Sequence, residues 1–150
     1  MPQSLSAILI HLIFSTKNRE RLITEAIEKE LHPYMAKIFH ELKSPTLTIG
    51  GTDDHVHILF SLARTIEIAT LLEKVKAKSS RWIKTKGEEF KDFHWQRGYG
   101  AFSIGQSQVA TVKQYIARQR IHHQRITFQD EYRKFLKSYR IDYDERYVWD

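Results

Sequence analysis

Residues 7–17, AILIHLIFSTK, alternate so that Ile8, Ile10, Leu12 and Phe14 share one side of a strand while His11 falls on the other. The period then lengthens. From Thr24, placed as an N-cap, Ile27, Leu31, Tyr34, Met35, Ile38, Phe39 and Leu42 recur at helical spacing, with Pro33 expected to kink or restart the helix. SPTLTIGG (44–51) reads as a short strand ending in a glycine turn, and HVHILFSL (55–62) as its hairpin partner. A second helix is expected from near Thr65, where Ile68, Leu71, Leu72, Val75, Ser79, Trp82 and Ile83 form one stripe opposite Lys74, Lys76, Lys78, Arg81 and Lys84. YGAFSIG (99–105) supplies a fourth strand, and QSQVATVKQYIARQRIHHQ (106–124) a third long helix. TFQDEYRKFLKSY (127–139) follows as a last helix, with Thr127 and Asp130 spaced as a capping box, and IDYDERYVWD as an aromatic tail.

The order β, α, β, β, α, β, α, α predicts an α+β chain with a ferredoxin-like split βαβ arrangement: a four-stranded antiparallel sheet with two helices on one face. The other face is left for function or for a further helix. No repeat, low-complexity stretch or linker divides residues 1–150, so a single domain is expected, long enough to bury roughly two-thirds of its unfolded surface. No apolar run reaches membrane-spanning length and no secretory start is visible, which implies a soluble, cytoplasmic protein without a membrane partner. The lack of cysteine excludes thiolate metal sites and a cysteine nucleophile. A formal net charge of +6 favours a polyanionic partner without choosing among DNA, RNA and acidic protein.

The candidate chemistry lies in GTDDHVHILFSL (51–62). Val56, Ile58, Phe60 and Leu62 point into the core, so His55, His57, Leu59 and Ser61 point to the open face. Imidazoles two residues apart on a strand can converge on one metal ion. Two ligands do not make a site, however, and the pair is equally readable as partly buried histidines bonded to backbone or water. On the third helix Tyr115, Gln119 and His122 share a face. A helical tyrosine standing alone is usually core packing; a phenol, an amide and an imidazole in line suggest chemistry. Asp54 either orients an imidazole or serves the turn.

Taken in order, IFSTKNR, GGTDDHVHILFSL, KAKSSRWI, FHWQRGYGAFSIG, YIARQRIHHQ, FQDEYRKFL and DERYVWD resemble the single-tyrosine HUH transposases of the simplest insertion sequences, relatives of the REP-associated tyrosine transposases. The resemblance implies that His55 and His57 bind a divalent cation, Mg²⁺ or Mn²⁺, that Gln119 completes the metal site, and that Tyr115 is the nucleophile. It further implies single-stranded DNA with hairpins as substrate, cut and rejoined through a 5′-phosphotyrosine, and the tyrosine helix lying over the sheet's second face. A homodimer sharing its active sites between subunits, nucleoid-associated when bound to DNA, belongs to the same expectation. Lys17, Arg19 and Arg21 after the first strand, Lys74, Lys78 and Arg81 on the second helix, and Arg118, Arg120 and Arg125 near the tyrosine are candidates to track phosphates. Each is equally at home as a solvated surface charge.

Two other functions stay in view. A non-catalytic module for single-stranded nucleic acid, including a domesticated transposase, fits the basic helices but leaves the histidine pair and Tyr115 unexplained. A cyclic phosphodiesterase with paired His-x-Thr/Ser motifs fits less well, because one His-x-His is present and its third position is not a hydroxyl.

Overall fold

The alternating segments are realised as β1 (Leu9–Ser15), β2 (Thr46–Gly51), β3 (His55–Ser61) and β4 (Gly100–Ile104) in a computed structural model that describes residues 2–150. Every neighbouring pair is antiparallel, in the order β2-β3-β1-β4. The crossovers β1–α1–β2 and β3–α2–β4 therefore each skip one strand, which is the split βαβ arrangement. Helix α1 spans Glu25–Glu41 and α2 Ile68–Lys84. Both lie on the face formed by Ile10, Leu12, Phe14, Val56, Ile58 and Phe60, whose side chains meet Leu31, Met35, Phe39, Leu71, Leu72 and Val75 in one apolar core. Each large side chain removed from water there contributes about 1.5–3 kcal/mol before entropy is subtracted.

Several sequence expectations are corrected. Ile8 precedes β1 and is exposed, so the inward stripe begins at Ile10. Pro33 does not restart α1, which runs as one helix through it. The proline sits on the exposed side between buried Leu31 and Met35, so the unbonded carbonyl one turn back meets water while packing holds the rest. Helix α2 starts at Ile68 behind Glu67, three residues later than expected.

The face that carries the histidines is covered by the helix bearing the tyrosine, as expected, and by the last helix as well. Helices α3 (Val109–Ala117) and α4 (Gln119–His122) lie toward the β2–β3 side. Helix α5 (Phe128–Ser138) packs Phe128, Tyr132 and Leu136 on Ile13 and Phe102. The expected third long helix is thus two helices, broken where Arg118 leaves helical geometry at φ −103°, ψ 20°. Arg120 explains the new direction: its guanidinium holds Asp53 Oδ1 at 2.8 Å and Glu28 Oε2 at 2.9 Å, tying α4 to the β2–β3 turn and to α1. No helix among the described residues is long and apolar enough to cross a membrane.

Candidate metal and tyrosine site

The pairing register fixes the histidines. His57 lies opposite Ile13 on β1 and Gly50 on β2, and His11 lies opposite Leu59 and Phe102, so the three imidazoles share the second face of the central strands. All three are buried. Gly50 has a specific duty here, because a Cβ at that position would run into the Ile116 carbonyl. The missing side chain lets the backbone of α3 settle on β2 and brings Tyr115 and Gln119 to the histidines.

Close polar contacts run through this buried layer. His55 Nδ1 is 2.7 Å from Asp54 Oδ1, which also accepts from Thr52 Oγ1 at 3.0 Å, so Asp54 orients the imidazole and ties the turn together. His57 Nδ1 meets His11 Nε2 at 2.8 Å and its Nε2 meets Glu131 Oε1 at 2.9 Å. His123 Nε2 lies 3.1 Å from Glu131 Oε1 and 2.9 Å from Gln119 Oε1, which is also 3.0 Å from His55 Nε2. Tyr115 donates its phenolic hydrogen to Glu131 Oε2, and its oxygen is 3.3 Å from His122 Nε2. Gln119 Nε2 donates to the same carboxylate oxygen at 3.2 Å.

The direction of the lone pairs in this layer matters. Asp54 and the Ile126 carbonyl, 2.9 Å from His123 Nδ1, only accept, so both His55 and His123 carry hydrogen on Nδ1. As neutral imidazoles they then aim bare Nε2 lone pairs at Gln119 Oε1, itself an acceptor, while Glu131 adds a carboxylate oxygen. Such a convergence of acceptor atoms suits a cation at its centre. One ligand atom from each of His55, His57, His123 and Glu131 lies within 4.8 Å of all the others. Nitrogen, amide and carboxylate donors facing inward, each imidazole's other nitrogen held from behind, fit a divalent metal ion.

The electrostatics agree. Burial pushes His57 down to about 4, against the pull of the Glu131 carboxylate, and burial together with His57 pushes His11 down to about 3. Both imidazoles are therefore neutral at physiological pH, as a ligand and its orienting partner must be. Burial opposes the charge on Glu131, but the close approach of His123 and His57 outweighs it and holds the carboxyl far below the usual carboxylate range. Tyr115 moves the other way: burial and the Glu131 charge push the phenol well above its ordinary value. In the resting arrangement Tyr115 is thus a firmly protonated donor.

The other residues singled out from the sequence are dispersed. Lys74, Lys78 and Arg81 are exposed on α2, on the far side of the sheet from the histidines. Lys17, Arg21, Arg118 and Arg125 are exposed, and Arg19 lies over the Trp149 ring at 5.7 Å. Arg120 is engaged with acidic side chains. Tyr115 sits beside the histidines of its own chain. Glu131, His123 and His11 are site residues that sequence reasoning missed. Glu131 had a legible signal: Phe128, Glu131, Tyr132 and Phe135 recur at helical spacing, placing a carboxylate on the apolar stripe of α5.

Comparison with solved structures agrees with this architecture. The chain superposes on a proposed transposase from Deinococcus radiodurans R1 with a TM-score of 0.62 and 19% identity, covering 77% of this chain and 95% of that one. It also superposes on a REP-associated tyrosine transposase bound to a REP hairpin, with a TM-score of 0.60 and 11% identity, covering 82% and 72% of the two chains. At such identities the likeness is one of fold. A search of curated proteins gave no significant sequence match. The sequence model of the family described as "Transposase IS200 like" matches residues 4–119, from ahead of β1 through both histidines of β3 to Tyr115 and Gln119. The chain belongs to the IS200-like transposase family.

Proposed function

We propose that this transposase cuts and rejoins single-stranded DNA near hairpins, with Tyr115 as nucleophile and with His55, His57 and Gln119 holding a divalent cation. The observation that carries the reading is the joining of the Tyr115 phenol, through the Glu131 carboxylate, to a buried set of inward-facing lone pairs. The REP-associated neighbour, solved on a REP hairpin, supports the choice of substrate.

The cation, when bound, supplies Lewis-acid polarisation of a phosphate oxygen. The chain's own residues do the rest. Asp54 and His11 fix the rings of His55 and His57 from behind. Tyr115 Oη attacks phosphorus in line; one P–O bond forms as the bond to the 3′ oxygen breaks, giving a 5′-phosphotyrosine and a free 3′-hydroxyl. Acceptors for the phenol proton stand ready in Glu131 Oε2 and His122 Nε2. Because the phosphotyrosine conserves the phosphodiester's energy, a 3′-hydroxyl from another strand can reverse the step without ATP.

The test combines labelled single-stranded hairpin DNA with the protein or its Tyr115→Phe variant, in Mn²⁺ or EDTA. A denaturation-resistant protein–DNA adduct that needs both Tyr115 and metal is expected. Cleavage without an adduct, or an adduct that survives Tyr115→Phe, overturns the tyrosine mechanism. Tight hairpin binding with no cleavage favours the non-catalytic module instead.

A further inference from the structure

Resting on the reading that this site binds a divalent cation, we propose that Glu131 and His123 are ligands too. They would turn a two-histidine site into one selective for a first-row transition ion, such as Mn²⁺, over Mg²⁺. Neither residue lies in the His-x-His motif or on the helix that carries the tyrosine. They come from α5 and from the turn before it, the segment that closes the second face of the sheet.

The separations carry the argument. Adjacent donors around an ion with bonds near 2.1 Å stand about 3.0–3.4 Å apart, depending on coordination number. His123 Nε2 stands 3.1 Å from Glu131 Oε1, His57 Nε2 2.9 Å from the same oxygen, and His55 Nε2 3.8 Å from it. Gln119 Oε1 stands 3.0 Å from His55 Nε2 and 2.9 Å from His123 Nε2. Glu131 Oε1 therefore stands at about donor spacing from His57 and His123 and somewhat farther from His55. Its second oxygen faces Tyr115 and Gln119, so one carboxylate spans the donor set and the nucleophile.

Charge and donor type point the same way. Among the described residues no lysine or arginine lies within ion-pair reach of this buried carboxylate, whose ion-pair contacts are all with histidines, and such a group calls for a compensating cation. One divalent ion among these donors supplies that charge. With three imidazole nitrogens in the set, the donors are poorly matched to Mg²⁺, which demands oxygen ligands and keeps its waters, and well matched to the transition series.

Calorimetry and Mn²⁺ electron paramagnetic resonance on the intact chain, without DNA, test this independently of catalysis. The wild-type protein should bind Mn²⁺ and keep it against a roughly hundredfold excess of Mg²⁺. Glu131→Gln and His123→Asn, checked for folding by circular dichroism, should each weaken Mn²⁺ by at least the roughly tenfold that outer-shell partners already cost. Glu131→Gln should also narrow the discrimination against Mg²⁺. Equal wild-type affinity for Mg²⁺ and Mn²⁺ overturns the inference even if a variant fails to fold. So does unchanged affinity in both folded variants, while loss of binding in His55→Ala keeps the underlying metal reading intact. If the wild-type chain binds no divalent cation, that reading falls, and this inference with it.

Discussion

The two faces of one sheet are equally shut from water and differently held. On one, Val56, Ile58 and Phe60 are fully buried against α1 and α2; on the other, His55 and His57 are fully buried beneath α3–α5. The first face needs only volume and apolar area. The second needs each donor and acceptor matched, because an orphaned group in a dry layer costs about 1–3 kcal/mol or more. Side chains alternate between the faces along the same two central strands, so the rigid core directly fixes the rings of the site. The lesson is a division of labour at a spacing of one residue: stability on one side, chemistry on the other.

The largest expected effect tests that division from the stable side. Phe60→Ala should cost about 3–5 kcal/mol in urea unfolding, since the ring is fully buried against Phe39. The fraction that remains folded should bind Mn²⁺ with wild-type affinity. A large change in that affinity would mean that the two faces are not separable. Next comes the histidine face, where the metal itself is the perturbation. Mn²⁺ at a hundred times its dissociation constant should raise unfolding free energy by about 2.7 kcal/mol, and His55→Ala should abolish the gain. Stabilisation of equal size in His55→Ala would place the ion elsewhere.

Gly50→Ala probes the seam between the tyrosine helix and the sheet. The added methyl meets the Ile116 carbonyl, so α3 must lift, at about 1–3 kcal/mol in the manner of an overpacked core. His55 and His57 are not on α3 and should keep their places, while Gln119, just beyond α3, is drawn part of the way with it, so Mn²⁺ should weaken only modestly. Tyr115 moves with the helix, so adduct yield should fall more than metal affinity. Equal losses of both would show that the histidines depend on α3 for their position.

Much of this division is legible in the sequence, for a reason that also sets its limit. Strand alternation assigns each residue to a face whatever covers it, so the pattern alone sets His11, His55 and His57 against Ile10, Val56 and Phe60. Alternation does not say what lies above a face. The tyrosine helix is expected over the histidine side, but α5 reads as an ordinary amphipathic helix, and the significance of Glu131 depends on which strands that helix crosses. Likewise 3.6-residue spacing puts Tyr115 and Gln119 together, but it carries the helix straight through Arg118. The break there is accompanied by long-range pairing of Arg120 with Asp53 and Glu28, which local pattern does not encode. His123 follows that break and lies at the site.

The smallest effect gives the sharpest comparison, because the two faces carry matched caps. Thr24 accepts from the Ile27 amide at 3.2 Å at the start of α1, and Thr127 accepts from the Asp130 amide at 3.1 Å at the start of α5. The Asp130 carboxylate turns instead to Arg133, so Thr127 supplies the same single bond as Thr24 and the expected reciprocal box is replaced by a plain cap. Each Thr→Ala change should then cost about 1 kcal/mol in unfolding. Their consequences for the site should differ. Loosening α1 disturbs apolar packing on the far face and reaches the site only through Glu28, one of the two acidic partners of Arg120, whereas loosening the first turn of α5 frees the segment that carries Glu131 and follows His123. Thr127→Ala should therefore weaken Mn²⁺ binding and lower adduct yield severalfold, and Thr24→Ala should change both much less. If the two variants lose stability equally and affect the site equally, the site responds to global stability, and the proposed separation of the faces fails.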